Sequence, residues 1–231
     1  GEGRVPAEKT AARGRTKAVE RVVAELRQMI MSGELLPGQQ IRQEHMAERL
    51  GVSRLPIREA LRQLTADGLM SHVHNVGYTV ARLSQAEFDQ IYRMRHLLEN
   101  EIIAGLPKPS QEQLQVIAGL NAEVVAAAER SDLVAMRLRN HDFHFAIFQL
   151  DDRKLIIDEI ERLWNWAAPY HAVYLFSPDS RRAVLDEHEA MIEALRDGDN
   201  ARLARLMDQH RHGSETQLGL ILGSGPIARP S

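Results

Sequence analysis

The amino-acid sequence predicts a mainly α fold: an N-terminal winged helix-turn-helix, then an all-α antiparallel bundle of about six helices. Three observations lead there. Helix, tight turn, helix and hairpin signals succeed one another between residues 17 and 83. After Ser84 every periodic segment repeats its apolar residues at helical spacing and is closed by Pro, Ser, Asp or Gly. The charge divides with the pattern: residues 1–83 hold 13 basic and 9 acidic residues, and the rest of the chain holds 16 and 23. A basic small segment joined to an acidic large one suits contact with a polyanion at one end only.

Taken in order, residues 1–16 are Gly-, Ala- and Arg-rich without an apolar period, and read as a disordered basic tail. A helix is expected from about Lys17 to Met31, with Val19, Val22, Val23, Leu26, Ile30 and Met31 on its apolar face. Gly33 ends it, and Leu36-Pro37-Gly38 makes a turn. A short helix from about Gln43 to Leu50 stops at Gly51. Ser53 caps a third helix running to about Asp67, with Pro56 in its first turn, where a missing N–H costs little. Two strands follow near 69–73 and 78–81, joined through Asn75-Val76-Gly77. Residues 17–83 therefore form one domain and 84–222 a second. The second has helices near 85–105, 110–130, 132–150, 153–175, 179–197 and 199–222, linked by short connections as in an antiparallel bundle. Residues 223–231 read as a frayed tail.

Composition narrows the function classes. The 231 residues are 44% apolar and 26% charged, with a net charge of -3, which suits one or two globular cores. The absence of cysteine excludes a thiol nucleophile and every Cys-ligated metal site. No apolar run approaches the roughly 18 residues of a membrane span. The first sixteen residues contain no hydrophobic signal-peptide core, so no membrane partner and a cytoplasmic location are expected.

The third helix carries the first candidate site. Met46, Ile57, Leu61 and Leu64 suit a small core, while Arg54, Arg58 and Arg62 recur at i, i+4 and i+8 on the opposite face. Guanidinium groups there can fork onto guanine edges or phosphates in a major groove. Ser53 can donate to a phosphate. The same stripe could be a solvated basic face; the turn and hairpin around it favour DNA.

The run Leu50-Gly51-Val52-Ser53-Arg54-Leu55-Pro56-Ile57-Arg58-Glu59-Ala60-Leu61-Arg62-Gln63-Leu64, followed by Asp67-Gly68-Leu69, resembles the DNA-binding signature of GntR-family transcriptional regulators. Gly33-Glu34-Leu35-Leu36-Pro37-Gly38 and the wing Gly77-Tyr78-Thr79-Val80 resemble the same family. The resemblance implies operator contacts from Ser53, Arg54 and Arg58, and extends to Arg42, Leu55, Pro56, His74, Asn75 and Gly77. Leu55 departs from the hydroxyl residue the family often has.

A second candidate site lies in the acidic segment. Three of the ten histidines interrupt apolar stripes. His144 follows Leu133, Met136, Asn140 and Phe143; His188 sits amid Val184, Leu185, Met191, Ile192 and Leu195; His210 follows Leu203, Leu206 and Met207. Unpaired inward imidazoles are costly. Either each meets a separate core partner, or the three share one metal with Asn140, which is four residues before His144. Arg95 likewise interrupts the stripe Phe88, Ile91, Leu98 and Ile102. It needs either an internal glutamate, a route to solvent, or an anionic ligand. Trp164, Trp166, Tyr170, His171 and Tyr174 form an aromatic patch that suits core, dimer surface or pocket wall.

Arg95 through Glu99, Asn140 to His144, Glu187-His188-Glu189-Ala190 and His210 make residues 84–222 similar to the FCD ligand-binding domain of the FadR branch of GntR regulators. In metal-binding members an Asp or Asn and three His hold a divalent ion at the base of an effector cavity. The resemblance implies Asn140, His144, His188 and His210 as ligands, zinc as the first expectation and nickel as the second. Neutral ligands leave the ion its full charge, which favours a small organic carboxylate effector paired also with Arg95. The implied protein is a homodimeric repressor on an inverted-repeat, double-stranded DNA operator, not an enzyme. Two rivals stand beside it: a metal-free GntR regulator binding an acyl thioester or other ligand, and a helical-bundle metallohydrolase. For the hydrolase, Glu187 and Glu189 are the candidate bases, but their helical phase points away from His188.

Overall fold

The computed structural model describes residues 5–223. Within them lie nine helices and two strands: α1 (Val5–Met31), α2 (Gln43–Leu50), α3 (Arg54–Ala66), β1 (Met70–Val73), β2 (Gly77–Val80), α4 (Gln85–Ala104), α5 (Gln111–Glu129), α6 (Leu133–Phe148), α7 (Lys154–Tyr174), α8 (Pro178–Asp197) and α9 (Asn200–Gly223). The expected fold class is the one observed. The chain divides into two compact units, Gly1–Arg82 and Leu83–Ser231. Among the described residues no helix is long and apolar enough to cross a membrane.

The first unit is built on α1, whose Val22, Leu26 and Ile30 are fully buried against Ile57, Leu61 and Leu64 of α3 and Met46 of α2. These are the residues expected to form its core. Gly51 closes α2 at φ 61, the left-handed conformation that lets the chain reverse before α3. β1 and β2 pair antiparallel, Met70 opposite Val80 and Val73 opposite Gly77. One expectation is corrected: the helix begins at Val5, not near Lys17. Ala, Glu, Lys and Arg dominate residues 7–17, and such residues favour helix even where no apolar stripe marks it. Residues 1–4 of the expected tail, and 224–231 of the frayed C-terminal segment, lie outside the described residues.

The second unit is the six-helix bundle. α5 packs on α6 and α8, α4 on α7 and α9, and α8 on α9. Ser84 and Ser110 begin α4 and α5 with capping boxes completed by Glu87 and Gln113. Ile102, Ile103, Phe143, Phe148, Ile160, Met191 and Leu203 are buried in one continuous core. Polar side chains from α4, α5, α6, α8 and α9 are buried beside it, and these build the second site.

Candidate functional site

In the first unit, Arg54, Arg58 and Arg62 are exposed on one face of α3, opposite the buried Ile57, Ala60, Leu61 and Leu64. Ser53 is the N-cap, yet its hydroxyl makes no capping bond and remains exposed. Leu55 is 44% exposed beside it. Pro56 is buried at the start of α3, where its ring packs inward and sets the first turn. His74 and Asn75 stand exposed at the wing tip. Asn75 at φ 63 and Gly77 at φ 96 take the positive angles that a tight hairpin turn requires. Arg42, Arg54 and Gly77 border one open cleft of about 660 Å3. Glu44 of α2, not foreseen from the sequence, forms an ion pair with Arg54. Both partners are well exposed, so such a pair holds weakly and yields readily to a phosphate.

In the second unit, His144 of α6, His188 of α8 and His210 of α9 meet in the bundle interior, with one ligand nitrogen from each within 4.8 Å of the others. All three are buried, and Phe143 stacks on His188 at 4.1 Å. The structure thus favours one shared cluster over three separate core histidines. Burial, then the field of His210, pushes the pKa values of His144 and His188 well below the usual imidazole range, so both are neutral.

Hydrogen bonds fix which nitrogens can act as donors to a cation. Nδ1 of His188 lies 2.9 Å from Oδ1 of Asn121, and Nδ1 of His210 lies 2.5 Å from Oε2 of Glu187. Each Nδ1–H donates to its oxygen acceptor, which leaves both Nε2 lone pairs directed elsewhere. Nε2 of His188 and both polar atoms of the buried Asn140 have no hydrogen-bond partner. Nε2 of His144 and Nε2 of His210 are 3.2 Å apart. Two nitrogens that each bind one zinc ion at its usual distance are separated by about 3.0–3.4 Å. The orphaned Nε2 and amide, the fixed tautomers and this spacing all fit a divalent cation. His141 and His212 are elsewhere: His141 stacks on Phe145 at 4.3 Å, and His212 is exposed on α9.

Beside the cluster lies a cavity of about 20 Å3 lined by Arg95, Arg137, Asn140, His141, Trp164 and His171, among others. Arg95 is buried; its Nε donates to Oε1 of Glu99 at 2.8 Å, and its guanidinium lies 4.3 Å from the Trp164 ring. Trp164 Nε1 donates to the same oxygen at 2.8 Å. The internal glutamate weighed for Arg95 is therefore present, and Arg95 also faces the cavity. His171 is pushed down to about 3 by burial and then by His210, Arg95 and Arg137, so it is neutral too.

Two contributors, Asn121 and Arg137, were not foreseen, and Glu187 and Glu189 take roles other than the base considered for them. Asn121 was signalled by its place on the buried stripe Leu114, Ile117 and Val124. Glu187 and Glu189 reach other helices: Glu187 holds His210, and Glu189 accepts from Asn121 at 2.9 Å. Arg137 lies one turn before Asn140, where its burial left no mark in the sequence.

A basic winged unit with an exposed arginine face, joined to a helical unit with a polar interior, defines a DNA-binding transcriptional regulator carrying a ligand-binding domain. The chain belongs to the GntR family of bacterial regulatory proteins: residues 18–80 match that family, and residues 90–213 match the FCD domain. It is 27% identical over 193 residues to the HTH-type transcriptional regulator McbR of Escherichia coli K12, covering 80% of this chain and 87% of McbR. It is 28% identical to the HTH-type transcriptional repressor GlaR of the same organism, over 80% of this chain and 88% of GlaR. The gluconate operon transcriptional repressor of Bacillus subtilis is 26% identical over 82% of this chain and 80% of its own length. The solved structure of E. coli McbR/YncC shares the fold, with a TM-score of 0.70 at 24% identity over 87% of this chain and 96% of that one. At family level these proteins regulate transcription.

Proposed function

We propose that the chain is a homodimeric, cytoplasmic repressor that senses a small organic carboxylate through a metal-containing pocket. The observation that carries this reading is the convergence of His144, His188 and His210, with the unpartnered Asn140, beside a cavity that Arg95 lines. In this reading Asn140, His144, His188 and His210 hold a divalent ion, zinc before nickel. The ion supplies positive charge and open positions for a carboxylate. Asn121 and Glu187 orient two of the imidazoles, Arg95 hydrogen-bonds the effector, and Trp164 excludes water. Ser53, Arg54, Leu55, Arg58 and Arg62 read one half of an inverted repeat, with Arg42, His74, Asn75 and Gly77 at the adjoining backbone. Effector binding shifts the population between operator-competent and incompetent arrangements of the dimer. The names of GlaR and of the gluconate operon protein as repressors support that direction of control.

The test is a thermal-shift screen of small carboxylates against zinc-loaded protein, followed by operator release with each hit. A selective ligand raises the midpoint by mass action. Loss of all metal on dialysis, together with no carboxylate raising the midpoint, overturns the reading.

A further inference from the structure

We propose that Arg137, and not Arg95, supplies the uncompensated positive charge that captures the effector's carboxylate. This rests on the reading of the helical unit as a carboxylate sensor, and assigns the anion's anchor within it. Among the described residues of the unit three guanidiniums are buried, from Arg95, Arg137 and Arg211. Two of them are answered from within. Arg95 bonds Glu99 at 2.8 Å, and Arg211 bonds Asp208 at 2.8 Å and faces Glu99 at 3.5 Å.

Arg137 differs. It is 8% exposed, its Nε has no hydrogen-bond partner, and it makes no salt bridge among the described residues. Asp142 offers only a weaker field, and that carboxylate already bonds Arg139 at 2.8 Å. The cavity wall that Arg137 shares with Arg95 and Asn140 contains no acidic residue. Arginine cannot shed its proton in a protein, so a buried, unanswered guanidinium is a standing cost unless an anion meets it. The planar fork fits a planar carboxylate in two parallel hydrogen bonds. Its place one helical turn before Asn140, and seven residues before His144, puts the anion at the metal end of the cavity.

Calorimetry of the full-length, zinc-loaded protein with acetate, lactate, succinate, gluconate and citrate tests this, alongside the ligand-free melting midpoint and the zinc content. The expectation is that at least one of these binds the parent. Arg137→Met then weakens it about ten- to a hundredfold, the range for a charged hydrogen bond. Arg137→Lys recovers part of the loss. Zinc content is unchanged, and the ligand-free midpoint of Arg137→Met does not fall, because an unanswered charge has been removed. Equal affinity in parent and Arg137→Met overturns this proposal and leaves the sensing function standing. A midpoint several degrees lower in Arg137→Met, with no recovery in Arg137→Lys, makes Arg137 a structural residue and overturns it as well. If none of the five binds the parent, the carboxylate-sensing reading fails and this assignment falls with it.

Discussion

Replacing Glu99 by glutamine isolates the electrostatic centre of the helical unit. Its carboxylate is 1% exposed. Oε1 accepts from Arg95 and from Trp164, both at 2.8 Å, and Oε2 faces Nε of Arg211 at 3.5 Å. Burial alone pushes its pKa up, but the fields of Arg95 and then Arg211 outweigh burial and hold it below the ordinary 4.5. Glutamine keeps the shape and one acceptor oxygen but removes the charge. Breaking a buried pair by removing one partner costs about 3–5 kcal/mol. Arg211 retains Asp208, so the lower end, about 3 kcal/mol, is expected. At roughly 2–4 °C per kcal/mol for a domain of this size, the midpoint falls by about 6–12 °C. Thermal unfolding of Glu99→Gln followed by circular dichroism at pH 7 measures it. The stability that Glu99 contributes is present above its unfolded pKa and is lost as pH falls through its depressed folded value. The gap between parent and variant should therefore close below about pH 4.5. A midpoint within about 2 °C of the parent at pH 7 refutes the view that Glu99 neutralises Arg95.

Arg54→Ala and Arg58→Ala should each weaken operator binding by about 1–3 kcal/mol with the circular dichroism spectrum intact; titration against operator and random DNA reads this, and unchanged operator affinity removes α3 from the groove. His144→Ala, His188→Ala and His210→Ala should each lose zinc on dialysis while His141→Ala and His212→Ala retain it; the reverse pattern would mean that the cluster is not the metal centre. Glu187→Gln should lower zinc affinity about 10–100-fold through the tautomer of His210, as read by competition with a chelator, and an unchanged affinity makes that contact incidental. Metal-free protein should lose stability as pH falls below about 6.5: the folded pKa values of His144, His188 and His171 are depressed, His171 to about 3, so the unfolded chain takes up protons that the folded one refuses. A midpoint that is flat between pH 7 and pH 5 contradicts this.

The elements were legible because the chain punctuates itself. Ser84 and Ser110 open α4 and α5 with their glutamate or glutamine three residues on, Ser177-Pro178 opens α8, and Gly198 closes it at φ 71. The start of α1 was not legible, because helix propensity without an apolar stripe resembles a solvated tail. His144, His188 and His210 announced themselves by interrupting apolar stripes, which depends only on the residue's own helix. Glu187 and Asn121 act on a side chain of a different helix, and helical phase cannot report how two helices face each other. The partner of Arg95 was nearer to hand, since Glu99 lies four residues on along the same face. Arg137 was hidden for the opposite reason: its neighbours on α6 are mixed in character, and only packing shows that it is enclosed.

The placement of Trp164 gives the molecule an optical readout of its own. The chain has two tryptophans. Trp166 is 40% exposed and should emit at long wavelength whatever the pocket holds. Trp164 borders the cavity, with Arg95 over its ring at 4.3 Å and the His144 ring centroid at 5.0 Å. Its indole therefore sits between the charge of Arg95 and a neutral imidazole of the histidine cluster, both of which an occupant must meet. A bound cation or anion shifts the local field on that chromophore while the other remains a fixed background. Emission colour and intensity in unlabelled protein can then follow occupancy in real time, and Trp166→Phe would leave the reporting signal alone.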